Sequence, residues 1–524
     1  MRRTLLVVAV GAGLGMAAAP LPAQTATDDP VLRRIWAEGM ENSQLPRLAQ
    51  TLLDSIGPRL TGTPQKKAAH DWTVATYQGW GIQARNEQYG TWLGWRRGVT
   101  HIDLLEPRVR TLEGMNLAWS PATQGPVSGA VVIVPEVATA AEFEAWLPQA
   151  RGNFVMVSFP HPTCRPDDNW ERWATPETFE RMRAERTAAF EAWNRRLQGT
   201  GVPPRDLPRR LEEAGALGVL TSNWSQGWGV NKIFNARTQQ VPTLDLSCED
   251  YGLVFRLAQN NQGPVVRVNA EAEFLGDVPA LNTVAEVRGR QRPNEYVMLS
   301  AHFDSWDGAS GATDNGTGTV IMMEAMRILR AVYPNPRRTI LAGHWGGEEQ
   351  GLNGSRAFVA DNPRIVNNLQ ALFNQDNGTG RIVTISMQGL TRADQHFNRW
   401  LGRIPTEITR HITLEAPGTP ATGGTDHASF VCAGAPAFNL SALSWDYYTY
   451  TWHTDRDTYD KISFDDLRNN ATLVAMLVYL ASEDPQRVPR DRLTELPPNP
   501  RTGEPMSWPA CAPPDRSAAV SPRM

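Results

Sequence analysis

The sequence predicts an α/β protein: a mixed, mostly parallel sheet flanked by helices, with a β-rich domain inserted into it. Three observations predict this. From Asn282 onward, short apolar runs of strand length alternate with longer helical segments, the rhythm of βα units. His, Asp and Glu residues fall just after several of those runs, where open α/β sheets place their sites. Between residues 105 and 275 the texture changes to short β-rich runs that offer no comparable cluster.

In chain order, residues 1–23 come first. Arg2 and Arg3 precede an apolar run from Leu5 to Pro20, and Leu21-Pro22-Ala23 ends in a small residue. That pattern predicts a secretory signal peptide cut after Ala23, and so a periplasmic or secreted protein. No cysteine follows the run to receive a lipid, and no later segment approaches the 18 apolar residues a membrane span needs. Residues 30–86 read as helices: Leu32, Ile35 and Trp36, then Leu48, Leu52 and Leu53, recur at helical spacing. Gly57-Pro58 and Gly62–Pro64 break the pattern, and a helix restarts through Ala68, Trp72 and Tyr77.

The stretch 105–275 contains strand-like runs at Ala130–Pro135, Phe154–Phe159, Gly218–Thr221 and Val265–Val268, with a Trp-, Arg- and Glu-rich helical excursion at 165–198. After it, Tyr296–Ser300, Thr339–His344, Leu369–Asn374 and Ala435–Asn439 read as strands. Gly316–Tyr333, Gly351–Ala360 and Phe464–Ser482 read as helices. The division predicted is one discontinuous domain over 24–104 and 276–485, an inserted domain over 105–275, and a Pro-rich tail over 486–524 that wraps the surface or moves. Basic and acidic residues nearly balance, 51 against 55, which argues against a nucleic-acid partner. The four cysteines, Cys164, Cys248, Cys432 and Cys511, match no zinc knuckle. In an oxidising compartment they could pair in three ways.

The chemistry concentrates in AHFDSWDGASGATDNGTG, residues 301–318. His302 and Asp304 follow a strand, and Asp314 sits in a Gly-rich turn that opens a helix. Glu348 and Glu349 follow the next strand, and Asp376 and His453 come later. Such residues on successive strand ends are what a two-metal hydrolytic site needs. Two divalent cations carry +4; Asp314, Glu349 and Asp376 supply −3, a hydroxide ion would supply the remainder, and neutral His302 and His453 complete the set. Adjacent side chains do not easily serve one metal, which leaves Glu348 free as general base. Asp304, two residues from His302 on an extended segment, points to the same side and can hold the second imidazole nitrogen.

These residues bring a resemblance into view. The strings HFDSWDGASGATDNGTG, GGEEQGLNGSRAF, QDNGTG, GGTDHASF and WHTDRDTYDKI resemble the co-catalytic zinc exopeptidases, the family-28 metallopeptidases, and within them the carboxypeptidase Q-like branch. GPRLTGTPQKKAAHDW is similar to that family's N-terminal helix. The resemblance implies a zinc exopeptidase fold and two zinc ions per chain: His302 and Asp376 on one, Glu349 and His453 on the other, Asp314 bridging. It implies Glu348 as general base, Asp304 and Asp457 as supporting residues, and a non-proline cis peptide between Asp314 and Asn315. AGALGVLTSN and VPTLDLSCEDYG make the insert similar to a protease-associated domain, from whose compact form the 165–198 excursion departs.

The activity implied is hydrolysis of short peptides, dipeptides foremost, by a protein that could be a homodimer. An aminopeptidase acting on longer peptides is the alternative. A non-catalytic receptor or a single-zinc glutaminyl cyclase fits less well with a complete ligand set. His344 reads as a core residue, His427 as either core or site wall, and any one of Tyr447, Tyr448 and Tyr450 could face a developing oxyanion.

Overall fold

The structure, a computed structural model, describes residues 27–498 and 502–518; the signal peptide expected at 1–23 lies outside them. The N-terminal periodicity becomes α1 (Pro30–Trp36), α2 (Leu45–Gln50) and α3 (Pro64–Gly79). α3 starts where its chemistry dictates: the Thr63 hydroxyl accepts the Lys66 N–H, and Pro64 takes a position whose N–H would have no partner.

The chain then enters β1 (Gln83–Glu106), and the insert follows with β2 (Val127–Ile133), β3 (Phe154–Met156), β4 (Gly218–Thr221) and β5 (Thr243–Leu246). The 165–198 excursion is helical, as α4 (Asp167–Trp173) and α5 (Pro176–Gly199). α6 (Cys248–Gln259) leads into β6 (Val265–Val287). β1 and β6 pair antiparallel along nearly their whole length, from Gln83 opposite Glu286 to Glu106 opposite Val265. This two-stranded ribbon joins two cores. Ile82, Ala285 and Val287 belong to the larger, while Ile102, Leu104, Val266 and Val268 belong to the core of the insert. No linker marks positions 104 and 276; the ladder runs through both.

The larger core surrounds β7 (Arg292–His302), α7 (Thr317–Val332), β8 (Arg338–Trp345), α8 (Asn353–Asp361), β9 (Leu369–Asn374), β10 (Ile382–Ser386), β11 (Ala437–Ala442) and α9 (Phe464–Glu483). The sheet order through this region is β10-β11-β9-β7-β8-β6. β8, β7, β9 and β11 run parallel; β6 and β10 flank them antiparallel. The parallel strands are buried on both faces, as their continuous apolar runs require. Their C-terminal ends therefore open on one edge, and the site lies there.

Two disulfides form, Cys164–Cys248 in the insert and Cys432–Cys511 to the tail. The described part of the tail wraps the surface. Trp508 Nε1 donates to the Val431 carbonyl, the Asp515 N–H donates to Asn353 Oδ1, and Ser517 pairs with Thr91 of β1. No helix among the described residues is long and apolar enough to cross a membrane.

His344 is a core residue. It is buried on β8 with Nε2 2.7 Å from the Tyr77 hydroxyl, and burial pushes its pKa down to about 3. Above the ordinary histidine pKa neither the folded nor the unfolded chain holds this proton. Below it the unfolded chain takes one up and the folded chain does not, so stability falls as pH drops from about 6.5 toward 3, by up to about 1.4 kcal/mol per pH unit for one group. Urea unfolding of wild type and His344→Gln between pH 7 and 5 should show a shallower loss in the variant. Equal slopes would remove His344 from the account.

Candidate metal centre

Five of the seven residues singled out as metal-site or catalytic come together as two clusters. His302 ends β7, Asp376 lies two residues beyond β9, and Asp314 lies in the turn before α7; these three form one. Glu349, in the turn after β8, and His453 join Asp314 in the second. His302 Nε2 is 2.9 Å from Asp376 Oδ1 and 3.2 Å from Asp314 Oδ1. His453 Nε2 is 2.9 Å from Glu349 Oε2 and 3.2 Å from Asp314 Oδ2. Asp314 thus presents one oxygen to each cluster. The bond from Asp314 to Asn315 is cis, as the resemblance implies.

The protein's own charges are unbalanced here. Burial alone would lower the His302 pKa, but Asp376, Glu348 and Asp314 outweigh it and raise it well above the ordinary value. His453 is raised to about 9 by Glu349 and Asp314, again against burial. Burial would raise the Asp314 carboxyl, yet His302 and His453 hold it far below the usual range. Burial, with Asp314 beyond it, pushes Glu349 up to about 7. Asp314 Oδ2 and Glu349 Oε1 are enclosed without hydrogen-bond partners. Imidazole nitrogens and carboxylates with unpaired oxygens, carrying excess negative charge, fit a pair of divalent cations and suit zinc.

Glu348 stands in neither cluster. Its enclosure, and beyond that the carboxylates of Asp376, Asp426 and Glu349, raise its pKa well above the ordinary value, against the opposing pull of His302. Asp304 behaves differently from its sequence reading. His302 Nδ1 lies 3.0 Å from the Asp304 main-chain oxygen but 4.0 Å from its carboxylate. The carboxylate is occupied by the N–H groups of Glu348 and Glu349, each at 3.2 Å. The carbonyl therefore sets the tautomer, and the carboxylate holds the glutamate turn. Asp457 does the same for the bridging residue, accepting the N–H groups of Thr313 and Asp314 at 2.8 and 3.0 Å.

Among the neighbours, Arg59, Lys66 and Asp426 carry no role from the sequence, whereas His427 and the tyrosines do. Arg59 is fully buried and donates to the carbonyls of Phe303, Ser310 and Gly311, clamping the loop between His302 and Asp314. Lys66 pairs with Asp304. Asp426 is buried with neither carboxylate oxygen hydrogen-bonded, and burial pushes it up to about 7. Its neighbour His427 is buried with Nδ1 unpartnered. Of the three tyrosines, Tyr447 is buried and feels Asp314, Asp376 and Glu349, whereas Tyr448 is exposed and the Tyr450 hydroxyl turns to Asp168.

The insert reaches the site as well. The Ile233 N–H donates to the His453 carbonyl at 2.7 Å, and the Phe234 ring lies 5.4 Å from the His453 ring. A cavity of about 370 Å³ adjoins, walled by Trp228 and Val230 of the insert and by Thr313, Trp445, Tyr450 and Thr451.

The chain is similar to known peptidases. Residues 282–478 match the family model described as Peptidase family M28. The chain is 24% identical over 451 residues to carboxypeptidase Q of Homo sapiens, covering 86% of this chain and 87% of that one. The fold is similar to the crystal structure of a peptidase M28 precursor from Shewanella amazonensis, with a TM-score of 0.63 at 22% identity over 88% of this chain and 97% of that one. It is also similar to a zinc aminopeptidase from Bacillus subtilis, with a TM-score of 0.54 at 17% identity over 85% and 96%.

Proposed function

We propose that this hydrolase is an exported two-zinc exopeptidase of the M28 type that cleaves short peptides, dipeptides foremost. The observation that carries the reading is the pair of clusters sharing Asp314, one carboxylate oxygen to each. His302 and Asp376 would hold one zinc, Glu349 and His453 the other, and Asp314 both. The zinc ions would supply Lewis-acid polarisation of the scissile carbonyl and acidify water.

The chain's own residues do the rest. The Glu348 carboxylate takes a proton from the attacking water and returns it to the leaving nitrogen as the C–N bond breaks. Asp304 holds Glu348 and Glu349 in place through their N–H groups. Tyr447, enclosed beside the ligands, donates its hydroxyl proton as a hydrogen bond to the carbonyl oxygen as charge develops there. The insert, read as a protease-associated domain, lines the approach with Trp228 and Phe234. The likeness to carboxypeptidase Q along most of the chain supports an exopeptidase, and two disulfides support export.

The test is a substrate panel: free dipeptides, N-blocked dipeptides, C-amidated dipeptides, aminoacyl-anilides and longer peptides. Cleavage of free dipeptides alone is expected, abolished by a chelator and restored by zinc, with two zinc ions per chain. Cleavage of anilides and longer peptides would replace this reading with an aminopeptidase. One zinc per chain with cyclisation of N-terminal glutamine would make it a cyclase. No turnover of any peptide with both zinc ions bound would defeat the enzymatic reading.

A further inference from the structure

We propose that Lys66 is a positioning residue for the Glu348–Glu349 turn, acting through Asp304. The proposal rests on the function above for what the turn does, and on geometry alone for how the turn is held. The Asp304 carboxylate is fully enclosed and has four donors around it. Oδ1 faces the Glu348 N–H at 3.2 Å and Lys66 Nζ at 3.6 Å. Oδ2 faces the Glu349 N–H at 3.2 Å and the Thr61 hydroxyl at 3.4 Å. One carboxylate thus spans two consecutive main-chain N–H groups, one oxygen to each, and so fixes the direction in which both glutamate side chains leave the turn.

A carboxylate removed from water needs a compensating charge, and a pair broken on one side leaves that charge uncompensated. Lys66 is the one lysine or arginine within 4.0 Å of Asp304 among the described residues. Its own surroundings offer it few other roles. It is buried in the first turn of α3, its N–H is capped by Thr63, and Nζ also donates to Thr61 at 3.2 Å. Nζ lies against the turn itself, since a Cβ built on Gly346 would approach it to 3.0 Å. Lys66, Asp304 and the two N–H groups form a short rigid chain from the N-terminal helix to the general base. Without the ammonium, the carboxylate would turn from the N–H groups toward water, and Glu348 would lose its aim. Misplacement of a catalytic group by about 1 Å costs on the order of 100-fold.

The experiment compares zinc-loaded wild type with Lys66→Met, which keeps the stem and removes the charge, and with Lys66→Met/Asp304→Asn, which removes both charges. Amide hydrogen exchange of residues 346–352 is followed beside zinc content, thermal stability and dipeptide kinetics. In Lys66→Met, exchange at 346–352 should rise at least about tenfold while α7 and α9 stay protected. kcat should fall about 10- to 100-fold, in the range for losing an outer-shell partner, with KM within about twofold and zinc content unchanged. The double variant should recover stability but not the slow exchange of the turn, and it serves alone if the single variant does not fold. Unchanged exchange at 346–352 in either variant would overturn the proposal. So would a rise spread evenly over α3, α7 and the turn, which would make Lys66 an ordinary anchor of the fold. A wild type that hydrolyses no peptide would defeat the functional reading instead, and the exchange data would still decide this one.

Discussion

Glu348→Gln is expected to bind two zinc ions as wild type does and to lose about 10²–10⁴-fold in kcat, the usual contribution of a general base. The side chain lies outside both clusters, so exchanging its oxygen for nitrogen removes no ligand. Its main-chain N–H stays on Asp304, so the turn and Glu349 keep their places. What the amide loses is the ability to accept a proton at neutral pH. Zinc content by elemental analysis and kcat on a dipeptide check the prediction together. Near-wild-type turnover with both zinc ions present would take the base role from Glu348.

How much of this was legible in the sequence differs from element to element. Parallel strands buried on both faces announce themselves as apolar runs, and β4 and β9 match their sequence bounds to the residue. Among the candidate ligands His302, Glu349 and Asp376 were legible because each ends or closely follows such a run, whereas Asp314 sits in a Gly-rich turn and His453 lies well beyond β11. β1 was not. Its sequence, QARNEQYGTWLGWRRGVTHIDLLE, mixes glycine, charge and aromatics, and its burial alternates only in patches, because one ribbon crosses from one core to the other. The same ribbon explains why composition placed domain edges at 104 and 276 although the backbone has no break there.

The residues that hold the site were less visible than those that form it. Arg59 and Lys66 sit some 240 positions before the loops they hold, and a buried Arg or Lys is recognisable only by its partners. Asp304 meets His302 Nδ1 as its spacing predicts, but through its main-chain oxygen rather than its carboxylate. Spacing on an extended segment places its carboxylate beside His302, and only the fold shows that two N–H groups from the next strand's turn reach it first. Residues 231–234 of the insert carry no chemical signature. Their role comes from packing on His453, which no local pattern encodes.

Asp314→Asn is expected to fail in a different way from Glu348→Gln, through the metals themselves. Asp314 is the one residue common to both clusters, with Oδ1 toward His302 and Oδ2 toward His453. An amide keeps the shape but offers one oxygen where the carboxylate offers two, and it removes a negative charge from a site that, on the two-zinc reading, balances two dications. The turn itself should survive, because the Thr313 and Asp314 N–H groups remain on Asp457. Loss of an outer-shell partner typically costs 10- to 100-fold in metal affinity, so removing a shared ligand should cost at least about 100-fold. Activity should fall with zinc occupancy at limiting zinc and stay low when zinc is added in excess, because the two ions no longer share a carboxylate. Dialysis against a weak chelator followed by zinc determination separates this from the Glu348 variant, which should emerge with two zinc ions. An Asp314→Asn protein that also retains two zinc ions under those conditions would show that this carboxylate does not bridge, and the charge balance on which the two-zinc reading stands would have to be rebuilt from Asp376, Glu349 and Glu348.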